Sequence, residues 1–312
     1  MGSHMFKKTT IIVCAAVLTL LSAAWAAPAS ELGYKACLAL HIAQRKAFTL
    51  THPLPPSGFA GNSTAPPVEA GFSAPSVPVL MYHYIVPSRY NKEPRNRSIV
   101  NAETFEAGMK YLHDNGYYTA SLQELEDYIH GFASLPPKTV VLTFDDGYEN
   151  NVAYAYPVMK KYGFKASLFV VGANIPETNG PFDPLGRSYV SREQMESTAD
   201  VFEFHSHTYD LHYKTEQHCG LDISAAADAD RLAPDIRRMK AAGIDTPYFA
   251  YPFGETNYRA VYRLVEAGYR MAFTVKDGYV RPGDHPMYLR RIAVTNETDL
   301  AAVLEGAIEP ER

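Results

Sequence analysis

The sequence predicts an α/β fold, with strands and helices alternating around one reaction centre. Three observations carry this. Short apolar, β-branched runs such as Thr139-Val140-Val141-Leu142 read as buried parallel strands. Helical patterns with start and stop signals lie between those runs at the spacing of βα units. The chemically distinctive residues fall at the ends of the runs, where barrels and open α/β sheets keep their chemistry. Periodicity alone leaves two arrangements open, an incomplete (β/α) barrel and an open doubly wound sheet.

The elements follow in order. Met1-Gly2-Ser3-His4 reads as a cloning scar, with Met5 as the native start. Lys7 and Lys8 precede an apolar run from Ile11 to Ala24, and Ala24-Trp25-Ala26 has the small-x-small form of a signal peptidase site. Residues 1–26 are therefore expected to be scar and secretory signal peptide, which makes the chain secreted: periplasmic, extracellular or associated with the cell envelope. The run is short for a permanent span. Cys14 lacks the small residues that precede a lipoprotein cleavage site. In the mature chain Cys37 and Cys219 could pair in an oxidising compartment or stand as separate thiols; sequence does not decide. Residues 31–47 could form a short helix. Residues 48–77 are rich in Pro, Gly, Ser and Ala and read as a linker or arm, so 27–76 is taken as an N-terminal segment and 77–312 as the catalytic domain.

Val79-Leu80-Met81-Tyr82 is a short strand ending at His83. Asn101 can cap a helix carrying Phe105, Met109 and Leu112. Ser121 and Glu124 form a capping box for the next helix. After Gly147 the chain is helical to Tyr162, with a turn or kink required at Pro157. Residues 172–190 form a long loop expected to shape a substrate groove. Val201 to Phe204 is a strand. The helix from Ser224 to Ala242 should kink or split at Pro234, and Tyr248-Phe249-Ala250 is a strand. Arg291 to Val294 is the last strand, and Asn296 is read as the cap of a final helix.

The chemistry centres on Thr143-Phe144-Asp145-Asp146-Gly147, two adjacent carboxylates at a strand end followed by a glycine that can turn the chain. Successive strand residues point to opposite faces, so both carboxylates face one cavity only if the strand ends there. Three of the eleven histidines fall within Phe204-His205-Ser206-His207-Thr208-Tyr209-Asp210-Leu211-His212. Histidines joined by one carboxylate from another strand suit a divalent metal. The net charge of -5 gives no reason to expect a nucleic acid or other polyanion partner. Twenty-two tyrosines supply packing and, where exposed, surfaces on which sugars can stack.

Together these segments resemble the NodB-type polysaccharide deacetylases, carbohydrate esterase family 4. Thr143 to Gly147 looks like the family's first motif, Ser206-His207-Thr208 through His212 the second, and Ala250-Tyr251-Pro252-Phe253-Gly254 the third. Leu80-Met81-Tyr82-His83 resembles the poly-N-acetylglucosamine deacetylase subgroup of PgaB and IcaB type. The resemblance implies a distorted, incomplete (β/α)7-type barrel. It implies a metal-dependent N-deacetylase acting on N-acetylglucosamine residues of an extracellular polysaccharide such as poly-β-1,6-N-acetylglucosamine. Deacetylation of chitin oligomers or peptidoglycan, or O-acetyl esterase action on xylan, is the alternative. It further implies Asp146, His207 and His212 as ligands of a divalent ion, zinc first and cobalt or nickel as substitutes. Asp145 would be the general base, His83 the acid, and the Tyr251 backbone N–H the oxyanion donor. The chain is expected to be a monomer, with peripheral envelope association open.

Two departures from the family pattern matter. No arginine precedes the third motif to hold the base, and Leu289-Arg290-Arg291-Ile292 lacks the usual late histidine. His83 fills the second gap in the subgroup. Arg291 could orient a carboxylate, although a solvated loop or strand edge is the weightier reading for Lys276, Asp277, Asp284 and Arg291. His205 should face away from Ser206, into the core or just behind the site.

Overall fold

A computed structural model describes residues 72–216 and 222–308, together with Val68. The expected signal peptide, the helix at 31–47, and Cys37 and Cys219 lie outside the described residues.

The strands are β1 (Val79–Tyr82), β2 (Tyr84–Val86), β3 (Ile99–Asn101), β4 (Tyr118–Thr119), β5 (Thr139–Phe144), β6 (Ala166–Val170), β7 (Phe202–Ser206), β8 (Lys214–Glu216), β9 (Asp222–Ser224), β10 (Tyr248–Ala250), β11 (Met271–Phe273) and β12 (Ile292–Ala293). The main sheet is parallel and runs β11-β10-β7-β6-β5-β1-β12, with β4 beside the start of β5. Read from β1, the strands follow chain order, and the last pairs with the first through Leu80–Ile292 and Met81–Ala293. Just before β12, Leu289 bridges to Phe273 of β11. The segment 289–293 thus touches both edges of a curled sheet. This is the barrel-type winding, and it rules out the doubly wound alternative.

The helices are α1 (Ala102–Asp114), α2 (Leu122–Ile129), α3 (Tyr156–Tyr162), α4 (Arg192–Ser197), α5 (Ala229–Ala241), α6 (Tyr258–Glu266) and α7 (Leu300–Ile308). The capping boxes at Ser121 and Ser191 are both formed. Pro157 sits in the first turn of α3, where its missing N–H costs nothing, and a π-helical turn at Asn151–Ala155 leads into it. Pro234 lies inside an unbroken α5; the break falls earlier, at Asp228, which caps the helix after a separate 3-10 turn at Ala225–Ala227. Asn296 does not cap α7. Its carboxamide ties Ile99 to Asn101, and Asp299 accepts the bond from Ala302 instead.

Side chains pointing inward from the strands, including Val79, Val141, Phe169, Tyr248, Met271, Phe273 and Leu289, pack with Leu125 and Tyr128 of α2 into one cluster. Ala74 is part of it and Ser76 bonds to Ala307, so packing begins before the expected boundary at residue 77. A second cluster joins the outer strand faces to α1 and α3 through Phe105, Met109 and Met159.

Candidate active site

Parallel strands place their C-terminal ends at one rim, and the notable residues stand there. His83 follows β1, Asp145 and Asp146 follow β5, His207 follows β7 and Tyr251 follows β10; Arg291 instead precedes β12 and joins them through its side chain, which reaches Asp145. The adjacent carboxylates separate because the strand stops at Phe144 and the next turn is left-handed. Asp146 has φ 73° and Gly147 φ 74°. A left-handed aspartate costs on the order of 1–2 kcal/mol, so this turn is held by its surroundings. A Cβ on Gly147 would lie 3.0 Å from the Val170 side chain. Glycine is therefore favoured by φ, and a side chain there would also crowd Val170.

Asp146 meets both histidines. Its Oδ1 is 3.5 Å from His207 Nε2 and 3.2 Å from His212 Nε2. One ligand atom from each of the three residues lies within 4.8 Å of the others. His207 Nδ1 bonds the Ala250 carbonyl at 2.8 Å, which turns Nε2 toward Asp146. Such an outer bond fixes the tautomer a metal ligand needs. Asp146 Oδ1 is buried and makes no hydrogen bond among the described residues. A buried carboxylate oxygen facing two imidazoles, without a bonded donor, fits a divalent cation, and two histidines with one carboxylate suit zinc.

The five-residue step from His207 to His212 is rigid. Thr208 adopts φ 73°. The Asp235 carboxylate accepts from the amides of Tyr209 and Asp210 at 2.7 and 2.9 Å, and Gly172 N–H donates to the Thr208 carbonyl. A loop pinned from α5 and from the end of β6 thus carries the second histidine back to the first.

Asp145 faces a different partner. Arg291 clamps it with two bonds of 2.7 Å, and both residues are buried, at 2% and 0% exposure. His83 Nε2 stands 3.9 Å from Asp145 Oδ2. Burial alone would raise the Asp145 carboxyl. The Arg291 charge reverses this, with His207 and His83 adding to it, and holds the group below the usual carboxylate range. Burial also opposes ionisation of Asp146, but its contacts with His207 hold it below the usual carboxylate range as well. The histidines diverge. Burial depresses His207 and its contact with Asp146 raises it overall, whereas burial and then the His207 charge push His212 down.

The structure therefore brings together His83, Asp145, Asp146, His207 and His212. Tyr251 requires a correction. Its N–H donates to the Phe273 carbonyl at 3.0 Å, continuing the β10–β11 pairing, and its hydroxyl bonds the Met287 carbonyl. The pairing extends one bond past the strand end, so this amide is occupied by the Phe273 carbonyl and is not free to serve an oxyanion. The turn comes two residues later, at Phe253, with φ 59° and its ring 4.7 Å from His212. Arg291 is the functional residue that sequence reasoning undervalued. Leu289 and Arg291 alternate in the segment leading into β12 and are both buried, and a buried arginine demands a carboxylate partner. His205 is buried between Phe169 and Tyr248, behind the site as expected.

One wall of the site is aromatic. Tyr148 stacks on Tyr189 at 5.4 Å and meets Tyr84 edge-on at 5.1 Å, with the Arg187 guanidinium over both Tyr84 and Tyr148. Hydrogen bonds from Val190 to Gly147 and from Glu149 to Ser188 hold the end of the 172–190 loop against the first motif. A separate cavity of about 500 Å³ lies at the opposite ends of the strands, lined by Tyr118, Glu124, Lys165 and Glu203, away from these groups.

Residues 133–272 match the polysaccharide deacetylase family. YxkH of Bacillus subtilis, whose name places it among polysaccharide deacetylases, is 33% identical over 70% of this chain and 71% of its own length. The poly-β-1,6-N-acetyl-D-glucosamine N-deacetylase of Staphylococcus aureus (strain MRSA252) is 24% identical over 74% of this chain and 83% of that protein. The chain spans 30% of the Escherichia coli K12 protein of the same name, at 26% identity. Among solved structures, IcaB from Ammonifex degensii aligns with TM-score 0.62 and 29% identity, covering 76% of this chain and 99% of that one. Streptococcus pyogenes deacetylase PplD aligns with TM-score 0.62 and 26% identity, covering 75% and 99%. A curled parallel sheet, a carboxylate pair divided between an arginine and two histidines, and these likenesses agree: the chain belongs to the polysaccharide deacetylase family.

Proposed function

We propose that this enzyme is a zinc-dependent N-deacetylase that removes acetyl groups from N-acetylglucosamine residues of an extracellular polysaccharide, poly-β-1,6-N-acetylglucosamine by preference. The observation that carries the reading is the division of labour between neighbours. Asp146 faces two histidines, while Asp145 is clamped by Arg291 and lies 3.9 Å from His83. The names of the relatives support the substrate. The apolar N-terminal run ending in Ala24-Trp25-Ala26 supports export.

In this reading Asp146, His207 and His212 would hold a divalent ion, which would supply Lewis acidity for polarising the acetyl carbonyl and activating water. Asp145 takes the water proton. It is kept ionised by Arg291, whose two bonds also fix the carboxylate plane, and lone pairs remain for the water. The Phe253 turn amide, which donates to no acceptor among the described residues, stabilises the oxyanion. His83 gives a proton to the sugar nitrogen as the C–N bond breaks, and acetate and a free amine leave. Tyr84, Tyr148 and Tyr189 offer sugar-stacking faces beside these groups.

The test is His83→Ala, assayed as kcat/KM on an N-acetylglucosamine oligomer and on an activated acetyl ester. The amine leaving group needs the proton and the ester alkoxide does not. Loss of a positioned acid costs about 10²–10⁴-fold, so the amide should lose that much and the ester far less. Equal losses would reject the acid role. A parent enzyme releasing acetate from the ester but not from the amide would reject the N-deacetylase assignment.

A further inference from the structure

The geometry points to Asn151, seconded by Asn150, as a positioning residue for the proton donor; this rests on the His83 reading above. His83 sits where the chain leaves one sheet for another. β1 pairs with β5 and β12, whereas β2 pairs with β3 alone. The residue between them belongs to neither ladder, so its backbone needs another anchor.

That anchor comes from the segment carrying the base. Asp145 N–H donates to the Tyr82 carbonyl at 3.0 Å, Asn151 Nδ2 to the His83 carbonyl at 3.0 Å, and Asn150 Nδ2 to the Ile85 carbonyl at 2.5 Å. Three bonds from residues 145–151 thus hold residues 82–85. The imidazole and the carboxylate it faces are set by a single stretch of chain. Asn151 opens the π-helical turn, a distortion that recurs at functional sites.

Both asparagines are buried, at 0% and 2% exposure. Each leaves its Oδ1 without a hydrogen bond among the described residues. A buried, unsatisfied amide oxygen is destabilising. Flipping either amide would set oxygen against a carbonyl oxygen, so the donor assignments follow from the network. A leucine of similar size would carry no such orphan. The feature that repays keeping asparagine at 151 is the N–H on the His83 carbonyl. Without it the residue-83 backbone is free to drift, and displacement of a catalytic group by about 1 Å can cost 10²-fold.

The experiment is Asn151→Leu, made in the parent and in His83→Ala, with metal content confirmed by elemental analysis. On an N-acetylglucosamine oligomer kcat should fall about 10- to 100-fold with KM nearly unchanged. On an activated acetyl ester the fall should stay within about threefold. In the His83→Ala background the substitution should add nothing, because the group it positions is gone. Equal losses on both substrates, or the same fold-loss in both backgrounds, would make Asn151 merely structural and overturn the proposal. Full amide activity in His83→Ala would overturn the His83 reading itself, and Asn151's role with it. Should the leucine variant not fold, Asn151→Ala removes the same donor without added bulk and is held to the same outcomes.

Discussion

Replacing Arg291 by Met removes a charge and keeps much of the volume. It leaves Asp145, 2% exposed, without either of its two 2.7 Å donors. Breaking a buried ion pair from one side costs about 3–5 kcal/mol. Proton uptake sets a ceiling on this cost. An aspartate with an ordinary pKa of about 3.9 can be neutralised at pH 7 for roughly 1.36 kcal/mol per unit, or about 4 kcal/mol. At pH 5 the same route costs only about 1.5 kcal/mol. The penalty should therefore shrink by up to about 2.7 kcal/mol between pH 7 and pH 5. The parent behaves differently. There the folded Asp145 carboxyl is depressed, so its contribution is fully present above about pH 4 and is lost only as pH falls through the lower folded value. Urea unfolding of parent and variant at both pH values measures the difference. Asp145→Asn combined with Arg291→Met should be more stable at pH 7 than Arg291→Met alone, since the stranded charge is gone. A variant within about 0.5 kcal/mol of the parent at pH 7, or a penalty independent of pH, would refute the reasoning.

Two further outcomes follow from the site. His207→Ala and His212→Ala should each lose the metal together with the activity, as read by elemental analysis after reloading; a stoichiometric ion in either would contradict the ligand set. Asp145→Asn should keep the metal yet lose about 10²–10⁴ in kcat, and metal loss matching that of an Asp146 variant would mean the two roles are exchanged.

The strand ends and their histidines were legible because the chemistry needs particular residue types at particular spacings. Asp145, Asp146, His207 and His212 announce themselves in a strand-and-turn context. His83 was legible by the same logic, and the pairing of β12 with β1 supplies the closeness of first and last strands that sequence could only anticipate. Arg291 was harder. The family pattern directs attention to an arginine before the third motif, and here the guanidinium arrives from a strand 146 residues beyond the carboxylate. No local pattern encodes that distance; only the alternation of Leu289 with Arg291 hinted at it. The Tyr251 amide, which the family resemblance implies as the oxyanion donor, is instead bonded to the Phe273 carbonyl, because the pairing persists to the residue before proline. The residue before proline favours extended backbone, which already argued for placing the bend later. Asn151 carries no signal at all in sequence, since its partner is a backbone carbonyl.

The segment 289–293 joins both edges of the sheet and also brings Arg291 to Asp145. The last part of the barrel to be synthesised is therefore the part that pairs the buried Asp145 carboxylate. Before it docks, a nascent chain already holds Asp146, His207 and His212 but lacks the Arg291 clamp on Asp145. Contacts this remote in sequence form late and slowly. If activity needs this clamp, acetate release should start only once the barrel has closed, so its onset during refolding would report that closure.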